Sequence, residues 1–227
     1  MEPYYYQTLS KAEQSSYQAM QAGLQAFAPS FPVPLLENRA LTDVFMKLRL
    51  DCPQLFYAGP FQYRYYPDSR NAELIPAYLF EKGKMKEHQK ALQSRVEKLV
   101  RPVARCSDEE KLLYIHDFIC KNVRYDKLKK QYSHEIIGVL GHGVGVCEGI
   151  AKAVKILCDA LQIQCIIALA ENNPEKGVKY RHAWNVVRLD KKYYHLDCTF
   201  DLSLGNPEEI RYDYFLLSDK QIFRDHE

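Results

Sequence analysis

The sequence predicts an α+β protein, with helices and antiparallel strand pairs in separate stretches of the chain. Three observations support this fold class. Apolar residues recur at helical spacing directly after Cys147. Two aromatic-rich segments, FQYRYY and ELIPAYLF, flank the turn PDSRN and predict a pair of strands. Residues 181–201 divide into two strand-like runs around a short charged turn, which predicts a β-hairpin.

Composition limits the function classes that the chain can serve. Its 227 residues are 47% hydrophobic and 26% charged, which is ordinary for a globular protein with a buried core. The net charge of +2 gives no footprint for nucleic acid, and the lysines within 121–130 are interpreted as a solvated surface. Because the first residues lack the basic and apolar regions of a secretory signal and the longest apolar run is too short for a bilayer, we expect neither a signal peptide nor a transmembrane segment. We therefore expect a cytoplasmic protein without nucleic-acid or membrane partners.

The seven cysteines argue against a disulfide framework and against a thiolate zinc site. Their number is odd, and the sequence has no C-x-x-C pair. Reduced thiols fit better, and most of them are expected to be small buried apolar residues. A metal site of mixed His, Cys and Asp ligands would lack compact spacing. We therefore expect neither a metal nor another cofactor.

The first part of the chain, residues 1–105, is predicted to be an extension with helices and two strands. Residues 1–30 are expected to be helical or partly ordered, and three prolines in APSFPVPLL break this region. A second helix is expected over about residues 37–50. After the two aromatic strands, a further helix is expected from residue 84 to about residue 100.

The second part, residues 106–227, is predicted to be a separate core region and is where any chemistry is expected. Ser107 and Glu110 have the spacing of a capping box ahead of an apolar-periodic helix. This helix is expected to end near Asn122. An irregular segment then leads to Cys147.

Cys147 opens the next predicted helix, and three of the ten glycines surround it: Gly143, Gly145 and Gly149. Unpaired N–H groups and the helix dipole at this position favour a thiolate and could also hold a developing oxyanion. The two glycines that precede Cys147 are interpreted as keeping side chains from blocking the approach to the sulfur. Two interpretations stay open, a catalytic nucleophile and a buried structural cysteine.

The hairpin register decides which polar side chains can meet. Hairpin loops of two or of four residues give the same register, in which Trp184 lies opposite Asp197 and His182 lies opposite Thr199. Since strand side chains alternate, His182, Trp184, His195 and Asp197 are expected to share one face. His182 and Asp197 are then diagonal neighbours, roughly 7–8 Å apart at the backbone.

A cysteine, a histidine and an aspartate are the parts of a thiolate–imidazolium nucleophile. A carboxylate on Nδ1 of His182 would fix its tautomer and stabilise the imidazolium. The alternative is a surface hairpin with scattered polar groups. His142, in the same loop as the cysteine, is a rival base, with Glu148 as its only nearby acid.

The order of these motifs resembles the transglutaminase-like superfamily, most closely its bacterial cytoplasmic members. The resemblance rests on GVC at 145–147, HAWNVV at 182–187 and DCTFD at 197–201, and covers about residues 107–220. It implies a papain-like α+β core in which the nucleophile helix packs on an antiparallel sheet. Carried over by motif, Cys147 is the nucleophile, His182 the general base and acid, and Asp197 the orienting carboxylate.

The resemblance implies a cysteine-dependent acyl-transfer enzyme that acts on an amide of a peptide or protein through a thioester. Hydrolysis is favoured over cross-linking, because no motif marks a site for an acceptor amine. Tyr125 is a candidate second oxyanion donor, and Trp184 and Glu148 are candidate cleft residues. Glu148 departs from the glutamine or aromatic residue of many relatives, so the cleft is expected to differ. The alternative function is a non-catalytic binding module with the same fold.

Overall fold

The computed structural model describes residues 3–170, 181–204 and 209–222. The helices are α1 (Tyr4–Gln7), α2 (Lys11–Gln25), α3 (Asn38–Asp51), α4 (Lys82–Val100), α5 (Asp108–Asn122), α6 (Cys147–Ala160), α7 (Cys198–Leu204) and α8 (Asp219–Ile222). The strands are β1 (Phe31–Pro34), β2 (Ala58–Tyr65), β3 (Asn71–Tyr78), β4 (Arg124–Tyr125), β5 (Val144–Gly145), β6 (Cys165–Ala170), β7 (His182–Leu189) and β8 (Lys192–Leu196). Both three-stranded sheets are antiparallel, which confirms the α+β class. In these ranges no helix has the length and apolar character needed to cross a membrane.

The chain divides within α4 into two units, residues 2–90 and residues 91–227. In the first unit the two aromatic segments pair as β2 and β3, as predicted. A third strand, β1, joins the other side of β3. The sequence predicts two strands in this extension, and β1 is a third that it did not predict. Because β1 is an edge strand, the missing N–H groups of its prolines can face the open side of the sheet.

The second unit is built around α6 and the antiparallel sheet β6-β7-β8. Helix α6 packs against β6 and β7, and α5 and α7 contact α6 in turn. The apolar stripe predicted on α6 is buried, as are facing side chains of α5 and the sheet. This core consists of Leu112, Ile115, Ile119, Ile150, Val154, Leu157, Cys158, Leu161, Ile167, Val187 and Leu196.

Helix α5 begins and ends where the sequence predicts. The Ser107 hydroxyl accepts a bond from the Glu110 N–H, and the Glu110 carboxylate accepts one from the Ser107 N–H at 2.8 Å. This capping box fixes the first turn of the helix. The last turn ends at Asn122, and the chain then forms β4, which pairs in parallel with β5.

The glycines around Cys147 make room for the protein's own backbone. Gly143 has a φ of 66°, in the left-handed region that glycine adopts readily. A Cβ on Gly145 would lie 2.6 Å from the Val139 side chain, and one on Gly149 would lie 2.2 Å from the Ser133 carbonyl oxygen. These contacts differ from the sequence interpretation that the glycines clear the approach to the sulfur. They let the segment at Ser133 pack directly on the start of α6.

We predict that Gly149→Ala destabilises the fold, although alanine is the better helix former. The new methyl group would overlap a backbone oxygen that cannot move freely, and overpacking of this kind costs about 1–3 kcal/mol. Gly83 in α4 is the matched control, because a Cβ there meets nothing within 4 Å. Gly83→Ala should stabilise by up to about 1 kcal/mol through helix propensity. Denaturant unfolding of both variants checks the two opposite signs.

Candidate active site

Cys147 is the first residue of α6 and is partly exposed. The N-cap residue is Val146, whose side chain makes no capping hydrogen bond. The Val146 N–H itself donates to the Ser133 carbonyl at 3.0 Å, which fixes the entry to the helix. The thiol therefore lies at a helix start that no N-cap side chain occupies, where the helix dipole favours an anion.

His182 and Asp197 lie side by side, His182 interacts with this thiol, and both residues are buried. His182 Nε2 is 2.5 Å from Asp197 Oδ2, and the imidazole also hydrogen-bonds the Cys147 side chain. Since a carboxylate only accepts, Nε2 carries the proton, which leaves Nδ1 as the nitrogen available to the sulfur. The expectation that the carboxylate would sit on Nδ1 is wrong. Cys147, His182 and Asp197 are brought together as predicted, but Asp197 bonds Nε2 of His182 instead of Nδ1.

The environment of His182 stabilises its protonated form. Burial of the ring lowers its pKa, but the hydrogen bond to Asp197 and the interaction with Cys147 outweigh burial and raise the pKa to about 9. A histidine in this state is an imidazolium at neutral pH. It is therefore suited to hold a thiolate beside it and to donate a proton.

The hairpin register is the predicted one, but the second strand ends early. Leu189 pairs with Lys192, which is the closing pair of a two-residue loop, and β8 ends at Leu196. Thr199 lies in the first turn of α7, so the expectation that it opposes His182 in a ladder is wrong. Asp197 causes this change of structure. Its Oδ1 accepts bonds from the Thr199 and Phe200 N–H groups at 3.0 and 3.1 Å, so it caps α7.

The predicted polar face of the hairpin exists, and aromatic rings enclose the imidazole. The His182 ring stacks on Trp184 and, with centroids 4.5 Å apart, on Phe200. The Trp184 Nε1–H donates to His195 Nδ1 at 2.9 Å, and His195 Nε2 lies 3.0 Å from Asp219. His195 therefore uses both nitrogens structurally. Sequence reasoning missed Phe200, whose signal is its place in the DCTFD motif.

Asn185 lies on the opposite face of the same strand. Its Nδ2 donates to the Ala151 carbonyl at 3.0 Å and contacts Cys165 Sγ at 3.4 Å. Its side chain is 1% exposed. Asn185 thus joins β7 to helix α6, while Asp197 reaches His182. The parity argument from the sequence separates these two residues correctly.

The candidate cleft residues Tyr125 and Glu148 flank Cys147 in different ways. Tyr125 pairs with Gly145 through β4 and β5, and burial followed by the charge of Cys147 raises the pKa of its hydroxyl. Glu148 folds back along α6. Its two oxygens lie 2.7 Å from Lys152 Nζ and 3.2 Å from His134 Nδ1.

Lys152 is fully buried and compensates the carboxylates next to the nucleophile. It donates to Glu135 at 2.9 Å and to the His134 carbonyl at 3.1 Å, in addition to its contact with Glu148. A buried ammonium needs such partners. Its charge also offsets that of Glu148, which would otherwise oppose a thiolate one residue away. The sequence signal for this pair is the i,i+4 spacing of Glu148 and Lys152.

The rival base His142 is exposed, and its ring contacts Tyr132. His182, not His142, is the imidazole that hydrogen-bonds Cys147. Across residues 3–170, 181–204 and 209–222, no group of three or more His, Cys, Asp or Glu side chains could hold a metal ion.

Among the solved structures that are weakly similar to this chain are a TGase and two candidate proteases. A structure described as a TGase is 12% identical, with a TM-score of 0.44. The match covers 72% of this chain and 48% of the TGase chain. A candidate cysteine protease from Cytophaga hutchinsonii is 15% identical, with a TM-score of 0.38. The match covers 62% of this chain and 61% of that protein's chain. A candidate protease from Parabacteroides distasonis is 15% identical, with a TM-score of 0.37. The match covers 62% of this chain and 36% of that protein's chain. This chain thus spans about half the length of the first of these structures.

The comparison with curated proteins gave no match. The comparison with protein families gave one that includes the site. Residues 95–198 match the family described as the transglutaminase-like superfamily, and this stretch contains Cys147, His182 and Asp197. This match covers just under half of the chain and identifies residues 95–198 as similar to the transglutaminase-like superfamily.

Proposed function

We propose that this protein is a cysteine-dependent acyl-transfer enzyme that acts on an amide group of a peptide or protein substrate. The observation that supports this most is the linked set of Cys147, His182 and Asp197, in which one imidazole contacts both the thiol and a buried carboxylate. We also propose a reducing, cytoplasmic setting, in which the free thiol of Cys147 is preserved.

In the first step, the Cys147 thiolate attacks the carbonyl carbon of the amide and forms a C–S bond. The carbonyl π electrons move to oxygen, and the backbone N–H of Cys147 at the start of α6 stabilises the oxyanion. Tyr125 is our candidate for a second donor, because it pairs with Gly145 and Gly145 is two residues before Cys147. Trp184 is less suited, because its indole N–H already donates to His195.

In the second step, the tetrahedral intermediate collapses to a thioester. The C–N bond breaks as His182 Nδ1–H protonates the leaving amine, and the imidazole becomes neutral. It then removes a proton from the acceptor, which attacks the thioester and releases Cys147. We favour water as the acceptor, so that the net reaction is hydrolysis, because no motif in the sequence marks a site for an amine.

Selective alkylation tests the proposal without a known substrate. At pH 6 an ordinary thiol is only about 0.3% ionised. A thiolate held by the His182 imidazolium should therefore react with iodoacetamide at least about ten-fold faster than the other cysteines. Because the pKa of His182 is about 9, the imidazolium should persist through neutral pH and be lost as the pH rises through about 9. Peptide mapping at a series of pH values measures both the selectivity and this profile.

Two cysteines of the same unit serve as internal controls, because they are also partly exposed. These are Cys106 and Cys120. Burial, followed by the charges of Asp201 and Asp117, raises the pKa of Cys120 to about 12, so it should stay a slow thiol. If Cys106 or Cys120 is labelled as fast as Cys147 at pH 6, the nucleophile assignment is wrong. A non-catalytic binding module would then become the better description.

A further inference from the structure

A second acid–base pair is buried behind the site, outside the three residues assigned to the chemistry. His116 on α5 has no exposed surface, and its Nε2 lies 3.0 Å from Oδ2 of Asp201 on α7. Asp201 is 2% exposed. It is the final residue of the DCTFD motif, to which the mechanism above gives no role.

Burial of the His116 ring costs stability, because one of its two nitrogens lacks a hydrogen bond to any residue that the structure describes. Within residues 3–170, 181–204 and 209–222, its Nδ1 has no hydrogen-bond partner, and the closest carboxylate oxygen, on Asp117, is 3.7 Å away. The Cys120 sulfur lies 3.7 Å from Nε2, and the ring also packs against Tyr212. A buried nitrogen without a bond is unfavourable. A phenylalanine would fill this space without that cost, so what histidine adds is its bond to Asp201.

Asp201 in turn is tied to the residue that orients the imidazole. Both of its carboxylate oxygens lie 3.2 Å from the Tyr214 nitrogen, and the Tyr214 carbonyl accepts the N–H of Asp197 at 3.0 Å. The Asp201 N–H donates back to the Asp197 carbonyl at 3.4 Å. The Tyr214 ring also packs edge-on against Phe200, which stacks on His182.

We propose that His116 and Asp201 are positioning residues that hold α7 and thereby fix Asp197 and Phe200 against His182. This inference rests on the proposed function of Cys147 and His182. Helix α7 has only seven residues, so its own hydrogen bonds are too few to fix its position. The bond from α5 to Asp201 supplies that constraint. Neither residue touches the reacting atoms.

Substitution at either end of this bond tests the proposal. His116→Phe keeps the ring volume and removes the donor, whereas His116→Gln keeps an N–H donor. Asp201→Ala removes the acceptor from the other side. Misplacement of a catalytic group by about 1 Å can cost about a hundred-fold in rate. We expect the alkylation rate of Cys147 at pH 6 to fall by about ten-fold or more in His116→Phe and in Asp201→Ala. It should fall less in His116→Gln.

Asp51→Ala is the control for a general loss of stability. Asp51 is also a buried carboxylate that accepts backbone N–H bonds, from Tyr5 and Tyr6, but it lies in the unit of residues 2–90. Its loss should lower Tm and leave the rate at Cys147 unchanged. Circular dichroism confirms that each variant is folded at the temperature of labelling. If one end of the bond cannot be changed without unfolding, the variant at the other end decides.

The outcomes separate this inference from the proposed function. Fast labelling of Cys147 in the wild-type protein, in His116→Phe and in Asp201→Ala alike would overturn the positioning role alone. An equal loss of rate in Asp51→Ala would overturn it too, since the effect would then be general. Slow labelling of Cys147 in the wild-type protein would overturn the proposed function, and the inference with it.

Discussion

Cys147→Ala should abolish turnover of an amide substrate and leave Tm within a few degrees of the wild-type value. The thiol is the only group at the start of α6 that can form the thioester, and loss of a catalytic nucleophile typically costs at least about 10⁴-fold in kcat. The side chain is partly exposed and adds little to the core. Steady-state kinetics and thermal unfolding of the same preparation measure both effects.

Cys158→Ala is the matched control for this experiment, because Cys158 lies in the same helix and is fully buried. Removal of its sulfur leaves a small cavity, so stability should fall by about 1 kcal/mol while turnover remains. If Cys147→Ala fails to fold, or retains activity, Cys147 is a structural cysteine. The glycines around Cys147 would then have a role in packing only.

The meeting of His182 and Asp197 was predictable because strand geometry has a simple period. Side chains alternate between the two faces of a strand, so the register determines which residues of the partner strand lie on the same face. The short charged turn determined that register. The same rule placed Asn185 on the far face, where it bonds to Ala151. The start of α6 was equally accessible, since its apolar stripe is regular.

Other parts of the site depend on hydrogen bonds between segments that no local pattern reveals. The change from β8 to α7 after Leu196 is set by the two N–H groups that bond Asp197. The choice of Nε2 for the carboxylate follows from where α6 places the sulfur, which the hairpin alone does not determine. The burial of Lys152 depends on Glu135, a residue 17 positions earlier in the chain. Strand β1 was missed because an edge position tolerates the prolines that normally exclude a strand.

Asp197→Ala should lower kcat by about 10²–10⁴-fold with a milder change in KM, as expected for a group that acts in the transition state. Without the carboxylate the imidazolium loses its main stabilising partner. The pKa of His182 should therefore fall from about 9, and the alkaline limb of the kcat profile should move to lower pH. The same substitution removes the cap of α7, so Tm should fall as well.

Asn185→Ala is the control from the opposite face of the hairpin. It removes a buried amide that bonds to the Ala151 carbonyl, so it should mainly reduce stability, by about 1–3 kcal/mol. Its kcat should stay close to the wild-type value. The reverse pattern, with activity lost in Asn185→Ala and retained in Asp197→Ala, would contradict the assignment of the acid.

Asp197→Asn separates the two tasks of this residue, because the carboxylate uses one oxygen for each. Oδ2 accepts a hydrogen bond from the Nε2–H of His182, and Oδ1 accepts hydrogen bonds from two backbone N–H groups of α7. An amide has a single oxygen. If it caps α7, its NH₂ group faces Nε2 and imposes the tautomer with the proton on Nδ1, which cannot take the proton of the thiol. We expect a near-normal Tm with kcat lowered about 10²-fold or more. Wild-type kcat in this variant would show that His182 does not depend on a carboxylate partner.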